Sequence, residues 1–236
     1  MPRFFIDQSA LCGDTVTVTG ADAVHMGRSL RMREGDEVIF CREGMEYRCT
    51  AEHFTKDSVI CRVTEAAPSM AEPKLKLTVF QAYPKSDKAE YIIQKCTELG
   101  ASEFVFFPSR RCVAKGDEKK IIRWSRIAEE AAKQSGRGMI PEVRAVSSFG
   151  EAVRLLSEKD LALFCYENGG DHLSEMDYSA GSIGIMIGSE GGFDRDEAES
   201  AKAAGAHHIW LGRRILRCET APVAVTAIVM DRAGEL

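Results

Sequence analysis

Hydrophobic and polar residues follow two different rhythms along this chain. Over residues 1–66 they alternate in short runs. "TVTVTG" ends on glycine, "DEVIFCREG" and "MEYRCTAEHF" flank a turn at Glu43-Gly44, and "SVICRVTEA" closes the set. Period-two alternation broken by closely spaced turn residues predicts short β-strands folded into a small barrel or sandwich. "AAPSMAEPK" then brings prolines and small residues without periodicity, which places a linker at 67–73.

Over residues 74–236 the rhythm changes. "LKLTVFQA" reads as a strand and "SDKAEYIIQKCTELG" as a helix, with Ser86 as candidate cap and Gly100 as stop. "FVFFP" is the next strand, and "DEKKIIRWSRIAEEAAKQSG" is an amphipathic helix ending at the Gly136-Arg137-Gly138 breaker. "PEVRAV", a short helix at "FGEAVRLLS", and the strands "LALFCY" and "SIGIMIG" follow. "RDEAESAKAAG" is a helix, "HHIWLG" a strand, and "TAPVAVTAIVM" a final helix. Strands alternating with helices predict an α/β domain with a mostly parallel sheet. Runs such as "GIMIG" are apolar without alternation, as strands covered on both faces are. The final helix has Pro222 in its first turn and is apolar nearly all round. Such a helix is covered by its own domain or by a second subunit, so a homodimer is expected.

Composition narrows the class. The chain has 236 residues, 44% apolar and 28% charged, as soluble globular proteins do. No apolar run approaches the ~18 residues of a membrane span, and "MPRFFIDQSA" lacks the layout of a signal peptide. Eight cysteines without a C-x-x-C pair suggest reduced thiols in a cytoplasmic protein, not a disulfide frame or a metal site. A net charge of −5 argues against indiscriminate coating of nucleic acid. Yet residues 28–33 ("RSLRMR") hold three arginines, and residues 110–126 hold seven basic residues against two acidic ones. Either run alone reads as a solvated face; together they suggest local contact with a polyanion.

The chemistry concentrates late in the chain. "IGSEGGFDRDE" (187–197) runs from a buried strand through a glycine loop into a helix, where many α/β proteins hold phosphate. No lysine follows as in a P-loop, no G-x-G-x-x-G is present, and Glu190 inside the loop would repel a pyrophosphate. "LGRRILRCET" (211–220) follows the next strand in the same manner. Successive parallel strands send such loops to one edge, so the two stretches are expected to face one pocket. A nucleoside-like ligand without phosphate and with a positive charge suits those groups; S-adenosylmethionine is one such ligand. The alternative is two tight turns with no ligand.

"MPRFF", "HMGRSLRMREGD" (25–36), "KCTELG" (95–100), "IGSEGGFDRDE" and "LGRRILRCETA" (211–221) occur in an order that resembles the RsmE family. These are bacterial 16S ribosomal RNA uridine-N3 methyltransferases of the SPOUT class. Cys218 departs from the threonine more usual there. The resemblance covers essentially the whole chain. It implies a PUA-like N-terminal β-barrel that helps hold RNA, and a C-terminal α/β domain of the SPOUT type with a trefoil knot. It also implies a homodimer and S-adenosylmethionine bent into the knotted loops. Carried over by motif, Gly188, Gly191 and Gly192 shape the first cofactor loop, and Leu211, Gly212, Ile215 and Leu216 wrap the adenine.

Methylating uracil N3 requires loss of its imide proton. Arg217 is the candidate for stabilising the resulting charge or gripping a phosphate, unless it pairs with Glu219. Glu190 or Glu219 is the candidate proton acceptor, unless either caps a helix or pairs with an arginine. Candidate RNA contacts are Arg3, Arg28, Arg31 and Arg33 in the first domain. In the second they are Arg110, Arg111, Lys115, Arg126 and Arg137. Two rival readings are a non-catalytic RNA-binding ribosome-assembly protein and a nucleotide-dependent dehydrogenase or small-molecule transferase.

Overall fold

In the computed structural model, which describes residues 1–236, the alternation of the N-terminal region becomes a six-stranded sheet in the order β1-β4-β5-β6-β3-β2. Its strands are β1 (Arg3–Phe5), β2 (Leu11–Cys12), β3 (Thr15–Thr19), β4 (Glu37–Arg42), β5 (Met45–Phe54) and β6 (Ser58–Pro68). In β3, Val16 and Val18 are buried while Thr17 and Thr19 are exposed, so each change of polarity is a change of face. Glu43 and Gly44 form the two-residue loop between β4 and β5, with φ of 49° and 80°. Two left-handed residues match the twist of the strands they join. Helix α1 (Gly20–Val24) passes into a π-helical turn (His25–Ser29) that sinks Met26 into a core with Phe4, Val38, Phe40 and Val59.

This first unit comprises Met1–Glu72 and Lys133–Met139. It therefore takes in most of the stretch expected as a linker. β6 runs on through Pro68, and Ser69 is buried, donating its N–H to the Gly44 carbonyl (2.7 Å) and its hydroxyl to Glu46 (2.6 Å). Glu72 gathers four donors. Arg137 gives Nε and a terminal nitrogen (3.2 and 2.9 Å), and the N–H groups of Gly138 and Met139 add theirs (2.8 and 2.9 Å).

The second unit, Pro73–Ala132 with Ile140–Leu236, holds a six-stranded sheet in the order β12-β10-β11-β7-β8-β9, every pair parallel. The strands are β7 (Lys76–Ala82), β8 (Glu103–Phe107), β9 (Glu142–Ala145), β10 (Leu161–Cys165), β11 (Ser182–Ile187) and β12 (His207–Ile209). Helices are α2 (Lys88–Glu98), α3 (Glu118–Gln134), α4 (Phe149–Ser157), α5 (Arg195–Ala203) and α6 (Thr220–Arg232). Both faces are covered, which explains the unbroken apolar runs. Ile183, Ile185 and Ile187 share one core with Ile92, Ile93, Trp124, Val225 and Val229, while Met186 shares the other with Leu156 and Ala198.

Local signals set several ends. Ser148 caps α4 through Glu151 N–H, and Asp194 and Glu197 form a reciprocal capping box at α5. Ser86 does not cap α2; it takes a left-handed φ of 57° and Asp87 stands at the cap position. Within the chain α6 is covered on one side only. Val225, Val229 and Met230 are buried, Val223, Ala224 and Ala227 are half-buried, and Ile228 is exposed.

Arg137 and Glu72 are 4% and 13% exposed, so removing the cation leaves a nearly buried carboxylate unpaired. Arg137→Ala is expected to destabilise the protein by about 3–5 kcal/mol in urea unfolding.

Candidate functional site

β11 lies between β10 and β7 although it follows both in sequence. The loops leaving β10, β11 and β12 consequently open at one edge, where they enclose a cavity of about 630 Å³. Gly188, Gly191 and Gly192 line it from the first loop, and Leu211, Gly212, Ile215, Leu216 and Arg217 from the second. The structure thus brings together the two stretches that the sequence pairs. Ile215 stands out at the rim, 87% exposed, rather than forming a buried wall.

Packing explains the glycines. A Cβ on Gly188 would sit 3.0 Å from the Gly192 Cα, one on Gly191 2.8 Å from the Arg111 Cβ, and one on Gly192 2.7 Å from a Glu167 oxygen. Gly192 also has φ of 64° and donates its N–H to the Ser189 carbonyl (2.9 Å). Gln81, fully buried at the end of β7, donates its amide to the Gly188 carbonyl (3.1 Å) and so pins the first loop from below. A glutamine inside "LTVFQA" was the available sign of that role.

Glu190, at the cavity wall, is bonded to the start of α2. Its Oε1 accepts the Lys85 N–H (3.0 Å) and the Lys88 ammonium (2.9 Å), and Lys88 also lies 3.2 Å from Glu219 Oε2. Burial pushes the Glu190 carboxyl up, but the Lys88 and Lys85 hydrogen bonds outweigh it and hold the group at about 2. Glu219 is likewise lowered: burial opposes this, and its own N–H, the Cys218 thiol and Lys88 prevail. Cys218 is pushed up to about 12 by burial, by its bond to Glu219 and by the charge of Glu190. Its thiol is therefore a protonated donor at neutral pH. Neither carboxylate is suited to accept a proton, because each is stabilised in its ionised form. The pair between Arg217 and Glu219, the alternative to a role for Arg217 in the chemistry, is not formed; Lys88 takes Glu219, and Arg217 is exposed without an ion-pair partner.

Lys88, Tyr166, Glu167, Trp210, Arg213 and Arg214 also line the cavity and were not singled out from the sequence. "GRRILR" carries three arginines in six residues, a visible sign for two of them. Glu167 is exposed and without an ion-pair partner, unlike Glu190.

The basic candidates divide by what they touch. Arg28, Arg31, Arg33, Lys115 and Arg126 are exposed. Arg111 is exposed and donates to the Gly191 carbonyl (2.9 Å), bracing the first loop. Arg110 is committed to Asp194 and Asp196 (2.9 and 2.8 Å). Two candidates are corrected. Arg3 is held by Glu46 (2.9 Å) and Arg137 by Glu72, with side chains 13% and 4% exposed, so both serve internal ion pairs instead of an RNA surface.

The RNA methyltransferase domain family matches residues 71–230, and the RNA methyltransferase PUA domain family matches residues 18–64. The chain is 37% identical to the ribosomal RNA small subunit methyltransferase E of Bacillus subtilis, over 97% of this chain and 96% of that one. Two solved structures are similar throughout. The ribosomal RNA small subunit methyltransferase E of Neisseria gonorrhoeae, bound to S-adenosyl methionine, gives a TM-score of 0.89 at 29% identity, covering 98% of this chain and 97% of that one. A Legionella pneumophila methyltransferase with bound cofactor SAM gives 0.86 at 26% identity, covering 97% and 96%.

Folding lowers the Glu190 pKa from 4.5 to about 2, so its contribution to stability is complete above the ordinary value and is lost as pH falls through about 2. The same pair holds Lys88 above its ordinary 10.5, so at the alkaline end the interaction fades only in strong alkali, when the ammonium gives up its proton. The stability difference between the natural protein and Glu190→Gln, measured by urea unfolding, is expected to be flat from pH 8 to about 5 and to close toward pH 2.

Proposed function

We propose a reaction for this chain, which belongs to the ribosomal RNA small subunit methyltransferase E family and joins a SPOUT-type α/β unit to a PUA-like β unit: methylation of N3 of a uridine in 16S ribosomal RNA, with S-adenosylmethionine as donor. The observation that carries it is the meeting of two separate loops around one cavity of about 630 Å³, within the range of small-molecule sites.

The residues present fit that cofactor. Ile187, Leu211 and Leu216 offer apolar surface, and the glycines of both loops leave backbone groups open to a close ligand. The Ser189 hydroxyl, on a cavity-lining residue, is buried without a partner, and uncommitted Glu167 can accept from hydroxyl or ammonium donors. When bound, S-adenosylmethionine supplies an electrophilic methyl group on a sulfonium. The chain's own task is to hold uracil N3 in line and favour its anion. Arg217 suits the second task, since its guanidinium stands at the cavity with no internal partner and can stabilise charge on a uracil oxygen. Glu190 and Glu219 hold the loops, and the N3 proton leaves to solvent. The trefoil knot implied by the family accounts for two loops and α6 converging on one place.

Arg28, Arg31 and Arg33 in one unit and Arg111, Lys115 and Arg126 in the other are the exposed cations we assign to RNA phosphates, with Arg213 and Arg214 at the cavity. Internal pairing removes Arg3 and Arg137 from that role, and Arg110, although exposed, is engaged by Asp194 and Asp196. We further propose a homodimer in which a second copy covers the open apolar side of α6, and a cytoplasmic location that follows from the substrate. Light scattering is expected to give twice the chain mass.

Purified protein is expected to transfer labelled methyl from S-adenosylmethionine to 16S RNA or small subunits, with 3-methyluridine as the product nucleoside in mass spectrometry. Arg217→Ala is expected to lower kcat by about 10²–10³-fold while calorimetric binding of the cofactor is unchanged. An unaltered rate in that variant would remove Arg217 from the chemistry.

A further inference from the structure

The cavity depends on two loops that belong to different parts of the chain, and one side chain outside both of them touches both. We propose that Lys88 is a positioning residue: from the first turn of α2 its ammonium ties the first loop, through Glu190, to the second, through Glu219, and so sets affinity for the cofactor. This rests on the S-adenosylmethionine reading above and assigns a residue that the motifs leave out.

The geometry is that of a clamp. Lys88 Nζ lies 2.9 Å from Glu190 Oε1 and 3.2 Å from Glu219 Oε2, with the Cys218 sulfur at 3.8 Å. The three charged side chains are 25%, 29% and 20% exposed, so water screens them only partly. Without a cation between them, two carboxylates this close would repel and drive the loops apart. An ammonium has three donors and can serve both carboxylates at once. Its base is firm: α2 buries Ala89, Ile92, Ile93 and Cys96 in the core. The segment before it is shaped for the same grip. Ser86 accepts a left-handed φ of 57°, and Lys85 directs its N–H onto the oxygen that Lys88 binds. Glu219 immediately precedes α6, so the clamp joins the starts of two helices to the glycine loop. An isolated surface pair does little for a fold; this cation joins three chain segments beside a cavity that it also lines.

The test uses the full-length protein, Lys88→Met, Lys88→Arg and Glu219→Gln. Titration calorimetry with S-adenosylmethionine is combined with amide hydrogen exchange in the cofactor-free state and a thermal melt for folding. Lys88→Met is expected to weaken cofactor binding by at least ~10-fold, with faster exchange over 188–192 and 211–219. Its kcat at saturating cofactor is expected to stay within ~3-fold, so that KM carries the loss. Lys88→Arg, whose fork can also span two carboxylates, is expected to restore binding to within ~3-fold. Glu219→Gln severs only the second link and is expected to speed exchange in 211–219 but not in 188–192, which keeps the test open if Lys88→Met does not fold. Binding by Lys88→Met within ~2-fold of the natural protein, with both loops as protected as before, would overturn the proposal. So would a fall in kcat at unchanged affinity. If the natural protein itself binds no S-adenosylmethionine, the cofactor reading fails, while the exchange comparison still judges the clamp.

Discussion

The insertion of β11 between β7 and β10 is the constraint on which the site depends. A strand can occupy that central place only if both of its faces are apolar, and residues Ile183–Ile187 are buried in succession for that reason. Gly184 shows how little room is left, since a Cβ there would meet Leu156 at 2.6 Å. Once β11 is seated, its end must emerge between the ends of its neighbours. The loop after it is then forced to share an edge with the loops after β10 and β12. The cavity is the space those loops enclose.

Charge at that edge is divided between structure and chemistry. Glu190, Glu219 and Lys88 satisfy one another, Arg111 braces the Gly191 carbonyl, and Arg110 closes on the acidic first turn of α5. What is left uncommitted at the cavity is Arg213, Arg214, Arg217 and Glu167. Counting acidic residues in the glycine loop therefore misstates the field a ligand meets. The carboxylate that seemed to face a cationic ligand faces a lysine of the chain itself, and a different carboxylate is free. This also favours catalysis over passive RNA binding, because unpaired guanidinium groups beside a partly apolar cavity suit a reacting base better than a backbone track.

The sequence was informative wherever the determining contacts are local. Alternation in "TVTVTG" and the Glu43-Gly44 hairpin were both legible because partner residues lie within a few positions. The pairing of the two late loops was legible through a topological rule rather than through contacts. Lys88 was not legible, because Glu190 lies 102 positions away and nothing in "SDKAEY" marks one lysine from another. Arg137 misled for a related reason. Flanking glycines read as an exposed breaker, whereas they let the backbone deliver two N–H groups and a guanidinium to one buried carboxylate. Ser86 looked like a cap because its type favours caps, but it takes a left-handed φ and Asp87 stands at the cap position instead.

The misread charges share a physical origin. A charged residue in sequence is assumed to face water, since burial of an unpaired charge is prohibitive. Pairing removes that penalty, and the partner is set by the fold rather than by the neighbourhood in sequence. Arg3 with Glu46, Arg137 with Glu72 and Lys88 with two glutamates are all cases in which the partner arrives from another element. Where such a pair lies in a core it serves only stability. Beside a cavity it also sets the separation of the walls, and a ligand held by those walls is sensitive to a charge that it need not touch.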